Sequence, residues 1–537
     1  MAERRHKHWG WGFEDQQPPP PELAATASGL ARHLGLGDGG VRQPVPLPQV
    51  KLASPRVTAP AALAPICRDD DHARTSHALG KSYADVVNGF YGRFEHPPDF
   101  VAYPRHERDV EAVLAWAGGQ AVAVVPFGGG TSVVGGVEPD VGDAYNGAVS
   151  LDLRALDRVL EVDPVSRAAR IQAGATGPGL EAQLAEHGLT LRHYPQSFEY
   201  STLGGWVATR AAGHFATGWT HIEDFLESAR AVTPAGLWTS RRLPGSGAGV
   251  SPDRLLVGSE GTLGCITEAW VRVRPRPTHR ASATVRFPSF ATGADAVRIL
   301  VQAGLQPSNC RLIDAQEARL TFAGDGSAAL LVLAFESHDH PVDALMARAV
   351  AVCAGHGGSV DAESAGSADD AGVAWRSAFL QAPYLRDVLV AMGVLSETFE
   401  TATTWERFPA LHSAVTAAAA RGIEEATGTP VGEGPGSAHL SCRFTHVYPD
   451  GPALYFTVLA PARRGEEVAQ WAHIKRAVSD ALIEAGATIT HHHAVGREHR
   501  PWYDRQRPEP FAAALQAAKA ALDPQWILNP GVLVDRP

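Results

Sequence analysis

The eleven residues Pro126-Phe-Gly-Gly-Gly-Thr-Ser-Val-Val-Gly-Gly136 follow the apolar run Val122-Ala-Val-Val125. A strand that breaks into so glycine-dense a turn exposes consecutive backbone N–H groups, and only glycine lets that backbone lie directly against a phosphate oxygen. The segment reads as a pyrophosphate cradle. Two common versions of such a cradle are excluded by spacing. The Rossmann fingerprint needs G-x-G-x-x-G, and counting from Gly128 and Gly130 the third glycine position is Val133. A Walker loop fails because Gly80-Lys81-Ser82 has Thr75 where the leading glycine should stand. Two more small-residue turns follow, Ser201-Thr-Leu-Gly-Gly-Trp206 and Gly258-Ser-Glu-Gly-Thr-Leu-Gly264, the latter running into the strand-like stretch Ile266 to Val273.

In this order and at this separation the three segments resemble the FAD domain of the vanillyl-alcohol oxidase superfamily, in which the flavin lies between two small α+β subdomains. The resemblance implies FAD contacts from Pro126, Gly128, Gly129, Gly130, Thr131, Ser132 and Gly135 in the first turn. Ser201, Thr202, Gly204 and Gly205 would serve in the second, and Glu260, Gly261 and Ile266 in the third. Some relatives attach the flavin through a histidine in the first loop. Here that stretch reads Gly130-Thr131-Ser132, so the expected FAD is non-covalent.

The 537 residues suffice for two or three domains and a large core, and 45% hydrophobic with 20% charged is an ordinary globular balance. The net charge of −11 argues against a general affinity for nucleic acid or anionic membrane. Five cysteines, Cys67, Cys265, Cys310, Cys353 and Cys442, are far apart and show no C-x-x-C spacing, which fits reduced, buried thiols in a cytoplasmic protein. The basic N-terminus lacks an apolar stretch behind it and runs into Pro18 to Pro21, unlike a signal peptide, and no eighteen-residue apolar run suggests a transmembrane segment.

The expected architecture is α+β: a two-subdomain FAD-binding domain of vanillyl-alcohol oxidase type plus an antiparallel-sheet cap domain with helices. Residues 1–95 are expected as a proline-rich N-terminal lead-in, 96–277 as the FAD-binding domain, 278–500 as the cap and 501–537 as a C-terminal helix and tail. The helix Glu107 to Gly118 and the strands Val122 to Val125, Ala148 to Leu153, Arg158 to Val162 and Ala168 to Ala173 belong to the FAD-binding domain. In the cap, strand-like Ala283 to Phe287, Ala328 to Phe335 and Leu454 to Leu459 alternate with alanine-rich helices.

The second informative motif is His491-His-His-Ala-Val-Gly496, preceded by the β-prone Ala487-Thr-Ile-Thr490. A histidine run can be a solvated tract, but this one is internal and lies between a strand-like segment and a glycine turn. If the strand continues through it, His492 points opposite His491 and His493, which disfavours one metal held by all three. No metal is expected. Together with Pro126-Phe-Gly-Gly-Gly-Thr-Ser, Glu199-Tyr-Ser-Thr-Leu-Gly-Gly-Trp-Val, Arg311-Leu-Ile-Asp314, Tyr384-Leu-Arg-Asp387, Glu397-Thr-Phe-Glu-Thr, Cys442-Arg-Phe-Thr445 and Leu454-Tyr-Phe456, the motif resembles the alkylglycerone-phosphate synthase (alkyldihydroxyacetonephosphate synthase) family. The likeness runs from Trp9-Gly-Trp-Gly12 almost to the C-terminus.

That resemblance implies a flavin-dependent exchange of the acyl chain of acyl-dihydroxyacetone phosphate for a fatty alcohol, with no net redox change. By position, Tyr455 matches the residue that takes a proton from the substrate carbon bearing the ester. Arg386 and His492 match residues that set the charge environment and bind the phosphate, Arg311 and His493 residues that order the site, and His193 an active-site histidine. Read alone, Tyr455 is equally a core strand residue, and Arg311 and Arg386 are surface partners of Asp314 and Asp387. The partners implied are the lipid substrates; a homodimer is admitted but not required.

Two departures stand out. Gln196 replaces a family aspartate, and a short link, Thr321-Phe-Ala-Gly-Asp-Gly-Ser327, stands where animal members carry a long apolar and basic loop, which leaves peripheral membrane contact open. The main alternative is an FAD-dependent oxidoreductase of a D-2-hydroxy acid. That branch carries a metal-ligand pair in an H-x-G-D-G-N-x-H type sequence and a later glutamate; here His446-Val-Tyr-Pro-Asp-Gly451 keeps one histidine, while Tyr455 and His492 stand in the other places. A flavin or lipid carrier without chemistry is the third reading.

Overall fold

The computed structural model describes residues 4–36, 40–360 and 382–537. Three large sheets organise the described residues. In the first, Phe100–Ala102, Gly147–Asp152 and Val122–Phe127 run parallel, in register from Val122 with Gly147 to Phe127 with Asp152, and Cys67–Arg68 adds an antiparallel edge. Parallel strands need a crossover, and the helix Glu107–Gln120 carries the chain from Phe100–Ala102 to Val122–Phe127, on opposite sides of Gly147–Asp152. Both faces of these strands are covered, which explains their unbroken apolar runs. The glycine turn therefore begins where a buried parallel strand ends.

The second sheet holds Val159–Asp163, Ala168–Gln172, Cys265–Arg272, Leu226–Thr233 and Gly236–Thr239, all antiparallel. Its hydrophobic core also takes in Leu515, Trp526 and Val534, so the C-terminal helix Glu509–Leu522 and the tail close this half of the molecule. The tail reaches the first sheet as well, where the Val124 N–H donates to the Ile527 carbonyl at 2.7 Å.

The third sheet is antiparallel throughout, in the order His279–Phe287, Ala329–Ser337, Asn309–Ile313, His439–Val447, Pro452–Pro461, Val394–Ala402. Successive side chains alternate between its faces. Leu454, Phe456 and Val458 enter the main hydrophobic core with the helices Phe290–Gln302, Asp343–Gly355, Phe408–Thr427 and Glu467–Glu484. Tyr455 and Thr457 face a cavity instead, and Leu459 borders both. The link after the helix Ala315–Leu320 is a short turn whose Phe322 is exposed and stacks on His33 at 3.8 Å. All five cysteines are free, four of them buried, and no helix among the described residues is long and apolar enough to cross a membrane.

The N-terminal segment is more than a lead-in. Trp9, Trp11 and the helix Pro20–Leu34 pack into the core of the cap. Lys7 forms a buried ion pair with Asp387 at 3.1 Å, and the same carboxylate accepts the Trp11 N–H. Gly10, at φ +61°, passes so close that a Cβ there would lie 2.5 Å from the Asp387 oxygens. Asp387→Ala would strand a buried ammonium, at a cost of about 3 kcal/mol. A lower thermal midpoint and rapid proteolysis before residue 36 are expected; parental protection of that segment would contradict the anchor.

Candidate active site

A cavity of about 350 Å³ opens between the glycine turn and the cap. Gly128, Gly129, Gly130, Thr131 and Ser132 form one wall, and Ser201, Thr202 and Gly205 continue it. The turn tolerates no side chain. A Cβ on Gly129 would meet the Tyr200 carbonyl oxygen at 1.9 Å, one on Gly128 would meet Thr202 Oγ1 at 2.4 Å, and Gly130 has a φ of +65°. Thr202 caps the helix Leu203–Thr209 by accepting the Gly205 N–H at 3.3 Å. Backbone held this close and bare fits the pyrophosphate of FAD.

The other expected cofactor residues sit behind this wall. Pro126 packs under Gly261, Gly204 lies against Ala173, and Ile266 is buried in its strand. Gly135, at φ +69°, faces Glu138 and Arg497. Glu260 accepts the N–H groups of Val495 at 2.9 Å and Gly496 at 2.8 Å, tying the histidine-containing segment to the FAD-binding half. Burial pushes its carboxyl up to about 7 although both N–H groups favour the anion.

The cap supplies the opposite wall through strand register. Tyr455 lies directly across from Arg443 on one side and Glu400 on the other. Directly opposed residues share a face, so acid, phenol and guanidinium form one transverse row. The Arg443 guanidinium sits 3.9 Å from the centre of the Tyr455 ring and is held by a buried ion pair with Glu317. Arg311, 1% exposed, donates to the carbonyls of His214 at 3.1 Å and Thr445 at 3.2 Å; burial and the neighbouring Arg443 bring it down to about 9.

Residues 491–493 are not strand. They form a bend clasped by Glu400, which accepts the Thr490 hydroxyl and the N–H groups of His491 at 2.6 Å, His492 at 3.1 Å and His493 at 2.9 Å. The carboxylate's own demand for donors overrides the β propensity of Thr488 to Thr490. Burial alone would raise Glu400, but the imidazoles of His492, His493 and His491, with these donors, hold it well below the usual carboxylate range. Burial also drives His493 well below the ordinary histidine value. The bend lays His492 parallel to Tyr455, ring centres 6.1 Å apart, with His493 edge-on at 5.6 Å.

The cavity thus gathers Tyr455, His492, His493, Arg311 and Arg386. Arg386 donates to the Lys81 carbonyl at 2.9 Å, and Asp387 and Asp314 are engaged elsewhere, so neither arginine pairs with its neighbouring aspartate. His193 does not line the cavity. Its ring is packed between Trp206 and Phe225, 3.1 Å from where a Cβ on Gly213 would stand, and burial lowers it to about 3. Arg443 and Glu400 lie within recognisable motifs, but only strand register reveals their place beside Tyr455. A second cavity of about 1240 Å³ adjoins the first, sharing Trp11, Gln196 and Ser197, with Phe198, Phe215 and Phe335 among its apolar walls.

Residues 98–240 match a family described as FAD binding domain, and residues 276–533 match the C-terminal domain of FAD linked oxidases. The chain is 30% identical to the alkyldihydroxyacetonephosphate synthase of Trypanosoma brucei brucei over 88% of its own length and 78% of the relative's. The synthase of Dictyostelium discoideum shows the same identity over 87% and 78%. The chain belongs to the alkyldihydroxyacetonephosphate synthase family. A solved structure of such a synthase superimposes with a TM-score of 0.79 at 25% identity, covering 98% of this chain and 97% of that one. p-Cresol methylhydroxylase shares the fold alone, at a TM-score of 0.67 and 15% identity over 96% and 98%. Membership of this family makes the protein an FAD-dependent enzyme. Because Gly129 cannot accept a methyl group without moving Tyr200, Gly129→Ala should purify with little FAD and a lower thermal midpoint. Full flavin content in that variant would contradict the cradle.

Proposed function

We propose that this enzyme exchanges the acyl chain of acyl-dihydroxyacetone phosphate for a fatty alcohol, using non-covalently held FAD. The observation that carries the reading is the Arg443–Tyr455–His492 group on the cap face, set across the cavity from the glycine cradle. FAD, when bound, supplies an electron-accepting ring at which the substrate carbon can react. The cradle of residues 128–132 with Ser201 and Thr202 would hold its pyrophosphate, and Thr131 in the first turn offers no histidine for a covalent link.

Tyr455 is the proton-handling group. Acting as the phenolate, it takes the proton from the carbon bearing the ester and becomes the neutral phenol, and the guanidinium on its ring face compensates the charge that moves. His492, stacked beside the phenol, is the partner through which a proton is passed. Arg386 is a fixed cation on the cavity wall, suited to the substrate phosphate. Arg311 braces the carbonyls of His214 and Thr445 and so positions the strand carrying Arg443. The carboxylate departs as the fatty acid and the alcohol enters, so the net reaction neither consumes nor releases electrons. The larger aromatic cavity next to the site offers the volume and apolar surface that an alkyl chain needs.

The test is to give the purified yellow protein acyl-dihydroxyacetone phosphate and labelled hexadecanol. Labelled ether should form in step with released fatty acid, and the flavin should stay oxidised with D-lactate or D-2-hydroxyglutarate under anaerobic conditions. Tyr455→Phe should keep its FAD and lose at least about 100-fold in turnover. Rapid bleaching by a hydroxy acid with no ether formed would replace the synthase by the oxidoreductase reading.

A further inference from the structure

The strand His439–Val447 carries a bulge between Phe444 and His446, where its register against Pro452–Pro461 shifts. A bulge re-aims the side chain that follows it. His446 is thereby turned toward the clasped bend, and one nitrogen each of His446, His491 and His492 lie within 4.8 Å of one another. We propose that these three imidazoles form a binding site for a first-row divalent cation, with Zn²⁺ as the best fit. This departs from the expectation that the chain has no metal site. That expectation assumed a strand through 491–493, which would separate adjacent side chains; the bend brings two of them together.

Two of the three rings, His446 and His491, are already committed in the way a metal site requires. His446 is 2% exposed and donates through Nε2 to the Gly213 carbonyl at 2.8 Å, which leaves the lone pair on Nδ1. That Nδ1 is buried and has no hydrogen-bond partner. His491 is hydrogen-bonded through Nε2 to the Tyr448 hydroxyl at 2.8 Å, and Tyr448 is in turn 3.1 Å from Thr220 Oγ1. Histidines that ligate metals are oriented by such bonds from the second ring nitrogen. The Nδ1 atoms of His491 and His492 stand 3.1 Å apart. Two imidazole nitrogens on one tetrahedral Zn²⁺, each at about 2.0–2.1 Å, are separated by about 3.3 Å, so a small rotation of the rings would accommodate the ion.

Charge and access agree with this assignment. Glu400 lies 3.4 Å from His492 Nδ1 and places a buried carboxylate directly beside the three rings. His221 packs against His491 with tilted rings, centres 4.6 Å apart, but uses Nε2 on the His491 carbonyl, so it closes the site from behind. His446 and His492 line the cavity, leaving the fourth position open toward it. Three imidazoles select borderline transition ions over Mg²⁺ and Ca²⁺, which prefer oxygen. An ion held here would occupy the His492 lone pair that the proposed proton transfer uses.

The test uses tag-free, full-length holoprotein stripped with a chelator, so no readout depends on turnover. Titration calorimetry with Zn²⁺ should give one equivalent and a raised thermal midpoint. Co²⁺ should give ligand-field bands of low coordination number at wavelengths beyond the flavin absorption. His446→Gln, with flavin content verified, should weaken Zn²⁺ at least about ten-fold and abolish the thermal shift. Should that variant fail to fold, His491→Gln is read in the same way. Absence of stoichiometric binding, or an affinity unchanged in the variant that folds, overturns the proposal.

Discussion

The site depends on the register that sets Glu400, Tyr455 and Arg443 side by side across three strands. A slip of one residue in Pro452–Pro461 would turn Tyr455 into the core and bring Phe456 to the cavity. Glu400 extends the row beyond the sheet. Its carboxylate is buried, yet every oxygen finds donors in the bend at 490–493. Losing it would orphan several buried N–H groups at about 1–3 kcal/mol each, so the bend and the acid stabilise one another. Just beyond the bend, Glu260 grips Val495 and Gly496 from the FAD-binding half. The segment that carries His492 is thus held by one carboxylate from the cap and one from the FAD-binding half.

The two walls divide the labour. The glycine turn presents bare backbone at the end of a buried parallel strand. The cap face supplies the particular side chains. A likeness in fold to p-cresol methylhydroxylase at 15% identity is therefore compatible with a different reaction, since function resides in the residues mounted on the scaffold.

Much of the fold was legible in the sequence because local physics agreed with global packing. The helix expected over Glu107 to Gly118 runs to Gln120, and the strand expected over Leu454 to Leu459 extends over Pro452–Pro461. Elements that carry the cavity face were harder to see. Val394–Ala402 mixes Ser396, Glu397, Thr398 and Glu400 into its length, and the arginine in Asn309–Ile313 interrupts an apolar pattern, because these strands bury polar side chains beside the site. The candidates drawn from the family resemblance, Tyr455, His492, His493, Arg311 and Arg386, meet in one cavity, whereas His193 is enclosed by aromatic rings behind it. Arg443 could not be ranked from spacing alone, since only long-range pairing places it on Tyr455.

The central claim is that Tyr455 moves a proton on the substrate carbon without net oxidation. Mass spectrometry of acyl-dihydroxyacetone phosphate incubated with the holoenzyme in deuterium oxide tests it most directly. One deuteron should enter the carbon bearing the ester, in recovered substrate or ether product, and Tyr455→Phe with full FAD should abolish that incorporation. Deuterium uptake at the parental rate in Tyr455→Phe, or ether formed by the parent enzyme with no exchange at that carbon, would contradict the account.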